Sequence, residues 1–192
     1  MNPIPAGDEL ELRPLTAPAA ATLGRDRAAA AALLGASLPP DWPGPDLAEI
    51  LPLLAAAGPS TAGFGAWIIV ERATATVVGD AGFIGPPDAA GVVEIGYSVL
   101  PDRRRRGYAT AAVSALLGWA TAQARVRGVV ARCDPDNTAS IRVLEATGFR
   151  RTGKAEGQLT WAAGDAGPHG QQARAASRTP TAGRRQSEPR TS

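Results

Sequence analysis

A chain of 192 residues, 44% hydrophobic and 20% charged, is long enough for one domain with a proper core and too apolar for a disordered polyelectrolyte. Its net charge of +2 is too small to argue for nucleic acid, and its apolar stretches are cut by Gly, Pro or charge well short of a membrane span. One cysteine (Cys133) and one histidine (His169) leave no intrachain disulfide, no cysteine metal cluster, no Ser-His-Asp or Cys-His catalysis and few routes to a zinc hydrolase.

The opening residues carry neither a basic nor an apolar signal region, so no secretory signal is expected and a cytoplasmic location is. Glu9 to Arg13 alternates polar and apolar and predicts a short strand before Pro14. Ala19 to Leu34 is rich in helix formers. Pro39-Pro40-Asp41-Trp42-Pro43-Gly44-Pro45 predicts a rigid loop, after which Asp46 caps a helix through Leu54 that Pro52 could kink. Gly63 to Glu71 and Thr76 to Ile84 predict a hairpin, and Val92 to Leu100 a third strand with Val93, Ile95, Tyr97 and Val99 on one face and Glu94, Gly96 and Ser98 on the other. Gly107 to Arg125 predicts a helix and Gly128 to Cys133 a buried strand. Asn137 caps a helix over Thr138 to Thr147 that Gly148 ends. Phe149 to Lys154 and Gln158 to Ala162 predict a closing strand pair. From Gly164 onward the apolar pattern stops and a disordered tail is expected.

The densest chemical signal is Arg103-Arg104-Arg105-Arg106-Gly107-Tyr108-Ala109-Thr110. A strand that ends in arginines and a glycine, then turns straight into a helix, makes an anion site. The first N–H groups of that helix lack partners within it, and the helix dipole adds partial positive charge. Gly107 lets the chain approach a ligand with no Cβ in the way. The site suits a pyrophosphate. The alternative is a solvated basic turn, or a patch that touches nucleic acid.

These segments resemble the GNAT superfamily of acyl-CoA-dependent N-acetyltransferases. The phosphate motif of that family reads Arg or Gln, any two residues, Gly, any residue, then Gly or Ala, and Arg104, Gly107 and Ala109 match it. Val93 to Pro101 looks like the family's fourth strand. Asn137 to Phe149 looks like its later helix with a Gly-Phe exit, in a form similar to the branch that acetylates ribosomal-protein N-termini. The resemblance covers about Leu10 to Trp161.

The resemblance implies acetyl-CoA as cosubstrate, with no metal. Backbone N–H groups from Arg105 and Arg106 through Gly107, Tyr108, Ala109 and Thr110 would face the pyrophosphate, and Arg104 would add a charge-assisted hydrogen bond. The family often has Gly where this chain has Arg105. The fourth strand would splay from its parallel neighbour, and the backbone at Val99 and Leu100 would bond the pantetheine arm in the gap as an added strand does. Asn137 would contact that arm and Ser140 would lie near the sulfur, although Asn137 and Ser140 also suit an ordinary helix start. Many members place a tyrosine one turn beyond the Ser as general acid. Here that position is Leu144.

An amine acceptor, charged at pH 7, must lose a proton before attack. Glu94 is the first candidate base and Asp80, on the neighbouring strand, the second; a cross-strand carboxylate is the competing role for Glu94. Tyr97 and Cys133 fit core packing. Trp42 and its Pro-rich loop fall where the family builds its acceptor site.

The expected architecture is an α+β (α/β sandwich) fold. It has a twisted, mixed, mostly antiparallel sheet of six to seven strands, splayed between the fourth and fifth, with helices on both faces. The expected organisation is a tail over 1–8, an acetyltransferase domain over 9–163 and a tail over 164–192. The expected activity is acetyl transfer from acetyl-CoA to a primary amine, of a protein N-terminus or a small molecule, by direct attack in a ternary complex. Neither nucleic acid nor membrane is an expected partner, and a homodimer is compatible. The alternatives are an acyl-CoA-binding regulatory module without turnover and a nucleic-acid-binding domain.

Overall fold

In the structure, a computed structural model that describes residues 1–56 and 63–164, the alternating segments become strands of one sheet. They are β1 (Ile4–Ala6), β2 (Leu10–Pro14), β3 (Ala66–Glu71), β4 (Thr76–Phe83), β5 (Val92–Val99), β6 (Gly128–Cys133), β7 (Arg150–Ala155) and β8 (Gln158–Gly164). The helices are α1 (Ala17–Leu23), α2 (Arg27–Leu34), α3 (Pro45–Ala56), α4 (Tyr108–Thr121) and α5 (Thr138–Ala146). The strands lie in the order β1-β2-β3-β4-β5-β6-β8-β7. β5 and β6 run parallel, and the other neighbouring pairs are antiparallel.

The mixed sheet with helices on both faces is the expected one, with eight strands rather than six or seven. The added strand comes from the segment expected as an N-terminal tail. Ile4 to Ala6 pairs with Leu12 to Leu10 and buries Ala6. Ala19 to Leu34, expected as one helix, is two. Gly24 closes α1, and Asp26 starts α2 by accepting from Ala29 N at 2.9 Å. α3 opens one residue before Asp46: Pro45 takes the first position, where its missing N–H is harmless, and the Gly44 carbonyl accepts from Ala48 N at 3.0 Å. The helix then runs through Pro52 to Ala56. The expected C-terminal tail, His169 included, lies outside the described residues beyond Gly164, which ends β8.

Alternate residues of β3 enter two separate cores. Trp67 and Ile69 join Val93, Ile95, Val129, Trp161 and the buried side of α4. Ile68 and Val70 join Val77, Trp42 and the buried residues of α1, α2 and α3. The sheet is thus filled on both faces. Covering a side chain such as Ile69 or Leu116, both with no exposed surface, contributes about 1.5–3 kcal/mol. The Ala-rich α4 is anchored by Trp119, whose ring lies 5.0 Å from Phe64, 5.7 Å from Phe83 and 5.9 Å from Trp67.

Two irregularities position the site. In β4 the register with β3 shifts, so that Ile69 pairs with Gly79 and Val70 with Val77. Val78 is the extra residue of this bulge, and every later side chain changes face. Asp80 therefore lies opposite Ile68 and Ser98, on the α1–α3 face. Gly79 is required beside it, because a Cβ there would meet the Ser98 carbonyl oxygen at 2.2 Å.

The second irregularity lies between β5 and β6. Their parallel pairing covers Val92↔Gly128 to Ile95↔Ala131 and stops. β5 continues to Val99 on β4, and β6 continues to Cys133 on β8. The two strands part after Ile95, which is the splay expected between the fourth and fifth strands of the family.

Candidate active site

The bend from β5 into α4 is built from the backbone outward. After Val99 the chain makes a short 3-10 turn over Pro101–Arg103, then Arg104 to Gly107 run exposed to the start of α4. Gly107 is the N-cap with φ +79, and Arg105 also has a left-handed φ, +64. The Gly107 carbonyl accepts from Ala111 N at 2.9 Å, which leaves the N–H groups of Tyr108, Ala109 and Thr110 as the unpaired first turn. No side chain caps this end, and its first turn holds no acidic residue. A Cβ on Gly107 would meet no protein atom within 4 Å, so the space before the helix is open. The departure at Arg105 has a physical consequence: an L side chain sits where the backbone favours glycine.

A carboxylate not expected from sequence holds this bend. Glu71, the last residue of β3, accepts from Tyr108 Oη at 2.7 Å and from Thr74 Oγ1 at 2.7 Å, and pairs with Arg103 Nη1 at 3.4 Å. The Tyr108 hydrogen bond, then that of Thr74, with Arg103 and Arg106 nearby, holds its carboxyl below the usual range. The same bond raises the Tyr108 phenol. The spacing of Glu71 from the arginine run in sequence carries no signal of this contact.

Beside the bend lies the gap between β5 and β6. Antiparallel strands alternate which residues bond their neighbour. Leu100 N donates to Val78 O at 3.0 Å and Ile84 N donates to Glu94 O at 2.8 Å. That phase turns the backbone of Ser98 toward β4, and that of Tyr97 and Val99 toward the gap. The Val99 backbone thus borders the gap, whereas the Leu100 N–H is committed to β4. Arg104 Nε donates to the Val99 carbonyl at 3.0 Å.

On the α4/α5 side of the gap, Asn137 Oδ1 accepts from Ser140 N at 3.0 Å and caps α5. Ser140 Oγ is 2.7 Å from Tyr97 Oη. Leu144, one turn on, is fully buried. Cys133 is buried, and burial raises its thiol.

On the opposite face the two candidate bases differ. Glu94 is 7% exposed and pairs with Arg132 Nε at 3.5 Å; Arg132 also reaches Glu156 at 3.1 Å. Glu94 lies opposite Val130, where β5 and β6 are still paired. Asp80 lies opposite Ser98, alongside the open part of the gap. Trp42 Nε1 donates to Asp80 Oδ2 at 3.0 Å. Burial, only partly offset by that bond and reinforced by Asp46, pushes the Asp80 carboxyl up to about 6. Trp42 is itself fixed by Arg27, whose Nη2 donates to the carbonyls of Pro39 and Trp42 at 2.8 Å each. The Pro-rich loop thus forms one wall beside Asp80, and Gly44 faces Ser98. Among the described residues no cluster of His, Cys, Asp and Glu could hold a metal ion, and no helix is long and apolar enough to cross a membrane.

A sheet opened between two parallel strands, with an uncapped helix start at one end of the gap, offers a slot for an extended chain that ends in an anionic group. Comparison with known proteins places it further. The acetyltransferase (GNAT) domain model matches residues 9–150. The uncharacterized N-acetyltransferase YjdG of Bacillus subtilis is 38% identical over 112 residues, 57% of this chain and 67% of that protein. RimJ of Mycobacterium smegmatis, solved with a coenzyme A disulfide, superimposes with a TM-score of 0.57 at 25% identity, over 92% of this chain and 94% of its own. RimL, a ribosomal-protein α-N-acetyltransferase solved with coenzyme A joined to one of its cysteines, shares the fold with a TM-score of 0.61 at 20% identity, over 85% and 98%. The chain belongs to the GNAT acetyltransferase family and is an acetyl-CoA-dependent N-acetyltransferase.

Proposed function

We propose that the protein transfers the acetyl group of acetyl-CoA to a primary amine, of a protein N-terminus or a small molecule, by direct attack within a ternary complex. The observation that carries this reading is the unpaired helix start at Tyr108–Thr110 set at one end of the β5/β6 gap. The pyrophosphate binds the N–H groups from Arg105 to Thr110, and the pantetheine arm lies along Tyr97 and Val99. A gap-facing N–H polarises the thioester carbonyl and holds the oxyanion that develops on it. Ser140 lies at the sulfur, and Asn137 holds the backbone of Ser140 and borders the arm.

The amine enters from the α1–α3 face, where Asp80 accepts its proton. Asp80 is favoured over Glu94 on two grounds. It stands beside the open gap, and a carboxyl near 6 is a stronger base than an ordinary one while still ionised at pH 7. Glu94 is occupied by Arg132. Among the described residues no nucleophile is placed for a covalent intermediate.

The test is release of free thiol from acetyl-CoA with a panel of peptides and small amines. Amine-dependent release supports the reading, and the better class of acceptor names the substrate. Tight coenzyme A binding without release under any amine identifies an acyl-CoA sensor instead. Salt-dependent oligonucleotide binding that coenzyme A does not affect identifies a nucleic-acid-binding domain.

A further inference from the structure

When the C–S bond of the thioester breaks, its electron pair goes to sulfur, and a buried thiolate needs a donor. The position one turn beyond Ser140 is Leu144, which has none. The nearest hydroxyl pair comes from two different elements. Tyr97 projects from β5, two residues past the last pairing with β6, and its Oη lies 2.7 Å from Ser140 Oγ and 3.3 Å from the Ser140 carbonyl oxygen on α5. Ser140 is held by its own N–H to Asn137 Oδ1.

We propose that Tyr97 is a positioning residue for the departing thiolate: its O–H donates to Ser140 Oγ, which turns the Ser140 O–H toward the sulfur. This rests on the transferase reading above and adds to it a residue outside the helix that carries Ser140. Two hydroxyls in contact share one hydrogen bond and leave one proton for a third acceptor. A chain of two polarised hydroxyls is also a stronger donor than a lone serine.

The proton of the phenol stays on oxygen. Burial raises Tyr97 above its ordinary 10.0, with the Cys133 thiol on β6 and the Ser140 hydroxyl as its neighbours, and a phenol of that strength does not protonate a thiolate of about 8.5. The ammonium gives one proton to Asp80 before attack; as its nitrogen bonds the acetyl carbon it gives a second proton to water, and the C–S electron pair leaves on sulfur as thiolate under the Ser140 hydrogen bond. The thiolate takes its proton from water as the product departs. Tyr97 thus has a use that packing alone does not give, although it also packs against the core.

The experiment is a cycle of Tyr97→Phe, Ser140→Ala and the double variant, with kcat and KM for acetyl-CoA measured on each. Tyr97→Phe and Ser140→Ala are each expected to lower kcat about tenfold to a hundredfold, with KM for acetyl-CoA changed less than about threefold. The double variant is expected to be no slower than Ser140→Ala, because the two hydroxyls act as one unit. Ser140→Thr, which keeps the hydroxyl, is expected to recover most of the rate. Wild-type kcat in Tyr97→Phe, or losses that multiply in the double variant, would overturn the proposal and leave the transferase reading standing. If Tyr97→Phe fails to fold, Ser140→Ala at wild-type kcat overturns it in its place. Absence of amine-dependent thiol release in the wild type overturns both.

Discussion

The hydroxyl of Tyr108, the first residue of α4, donates a 2.7 Å hydrogen bond to Glu71 at the end of β3. A carboxylate thus sits under the basic bend. Its role there is mechanical: it holds the helix start through Tyr108 and the preceding turn through Arg103. A charge-assisted bond of this kind contributes about 1.5–3 kcal/mol.

Tyr108→Phe should lower stability in urea unfolding by about that amount and weaken acetyl-CoA binding severalfold, since the N–H groups of the first turn lose their fixed direction. The pH dependence has a definite sign. The Glu71 carboxyl is held below 4.5 in the folded state, so its stabilisation is present above 4.5 and is lost as pH falls through the lowered value. In the Phe variant the folded value moves back up, and the stability difference from wild type should shrink on acidification. An equal difference at pH 7 and pH 3 would count against this account.

Gly107→Glu should abolish acetyl-CoA binding by calorimetry while circular dichroism stays that of a folded protein. The new side chain meets no protein atom, but it sets a carboxylate and a Cβ in the space before the helix. The left-handed φ of +79 adds a strain of about 1–2 kcal/mol, visible as a lowered melting temperature.

Arg105→Gly should do the reverse for strain. With φ at +64 the wild-type Arg is in a conformation that costs about 1–2 kcal/mol, and glycine removes that while adding some unfolded-state entropy. The net expectation is a melting temperature equal to or above wild type. Affinity for acetyl-CoA should change less than threefold at moderate salt, because the backbone N–H remains. A tenfold loss of affinity would mean that the Arg105 side chain itself contacts the cofactor.

Asp80 should govern the acid limb of the rate. With its carboxyl near 6 rather than 3.8, kcat/KM should rise with pH through about 6, and Asp80→Asn should remove that limb and lower kcat about a hundredfold. The stability sign is the opposite of that for Glu71. A raised folded value means that this group's stabilisation is full below 3.8 and lost as pH rises through about 6, so Asp80→Asn should be more stable than wild type at pH 7, by about 1–3 kcal/mol. Glu94→Gln makes the comparison. It leaves the part-buried Arg132 with Glu156 alone and should chiefly lower the melting temperature, with the acid limb retained. If Glu94→Gln loses the limb and Asp80→Asn keeps it, the roles are exchanged.

Much of this protein could be read from local pattern. Gly128 to Cys133 is a short apolar run whose ends are those of β6, and the Arg-Gly-Tyr-Ala run after an alternating strand marks the helix start at Gly107. Asn137 marks the cap of α5. These features depend on side-chain period, N-cap chemistry and glycine at positive φ, all of which act over a few residues.

What local pattern left undecided depends on register and on partners far along the chain. Alternation counted from Val77 puts Asp80 on the wrong face, and only the bulge at Val78 turns it toward Ser98 and Trp42. The three residues of β1 are too few to show a period and become a strand because β2 offers them an edge. Glu94 carries the same charge in any sequence reading, yet the parallel pairing of β5 with β6, which sets Glu94 opposite Val130, brings Arg132 against it. The bonds from Tyr108 to Glu71 and from Tyr97 to Ser140 join residues 37 and 43 positions apart. Short-range forces chose the elements; which side chains meet across them was settled when the sheet aligned its strands and buried both faces.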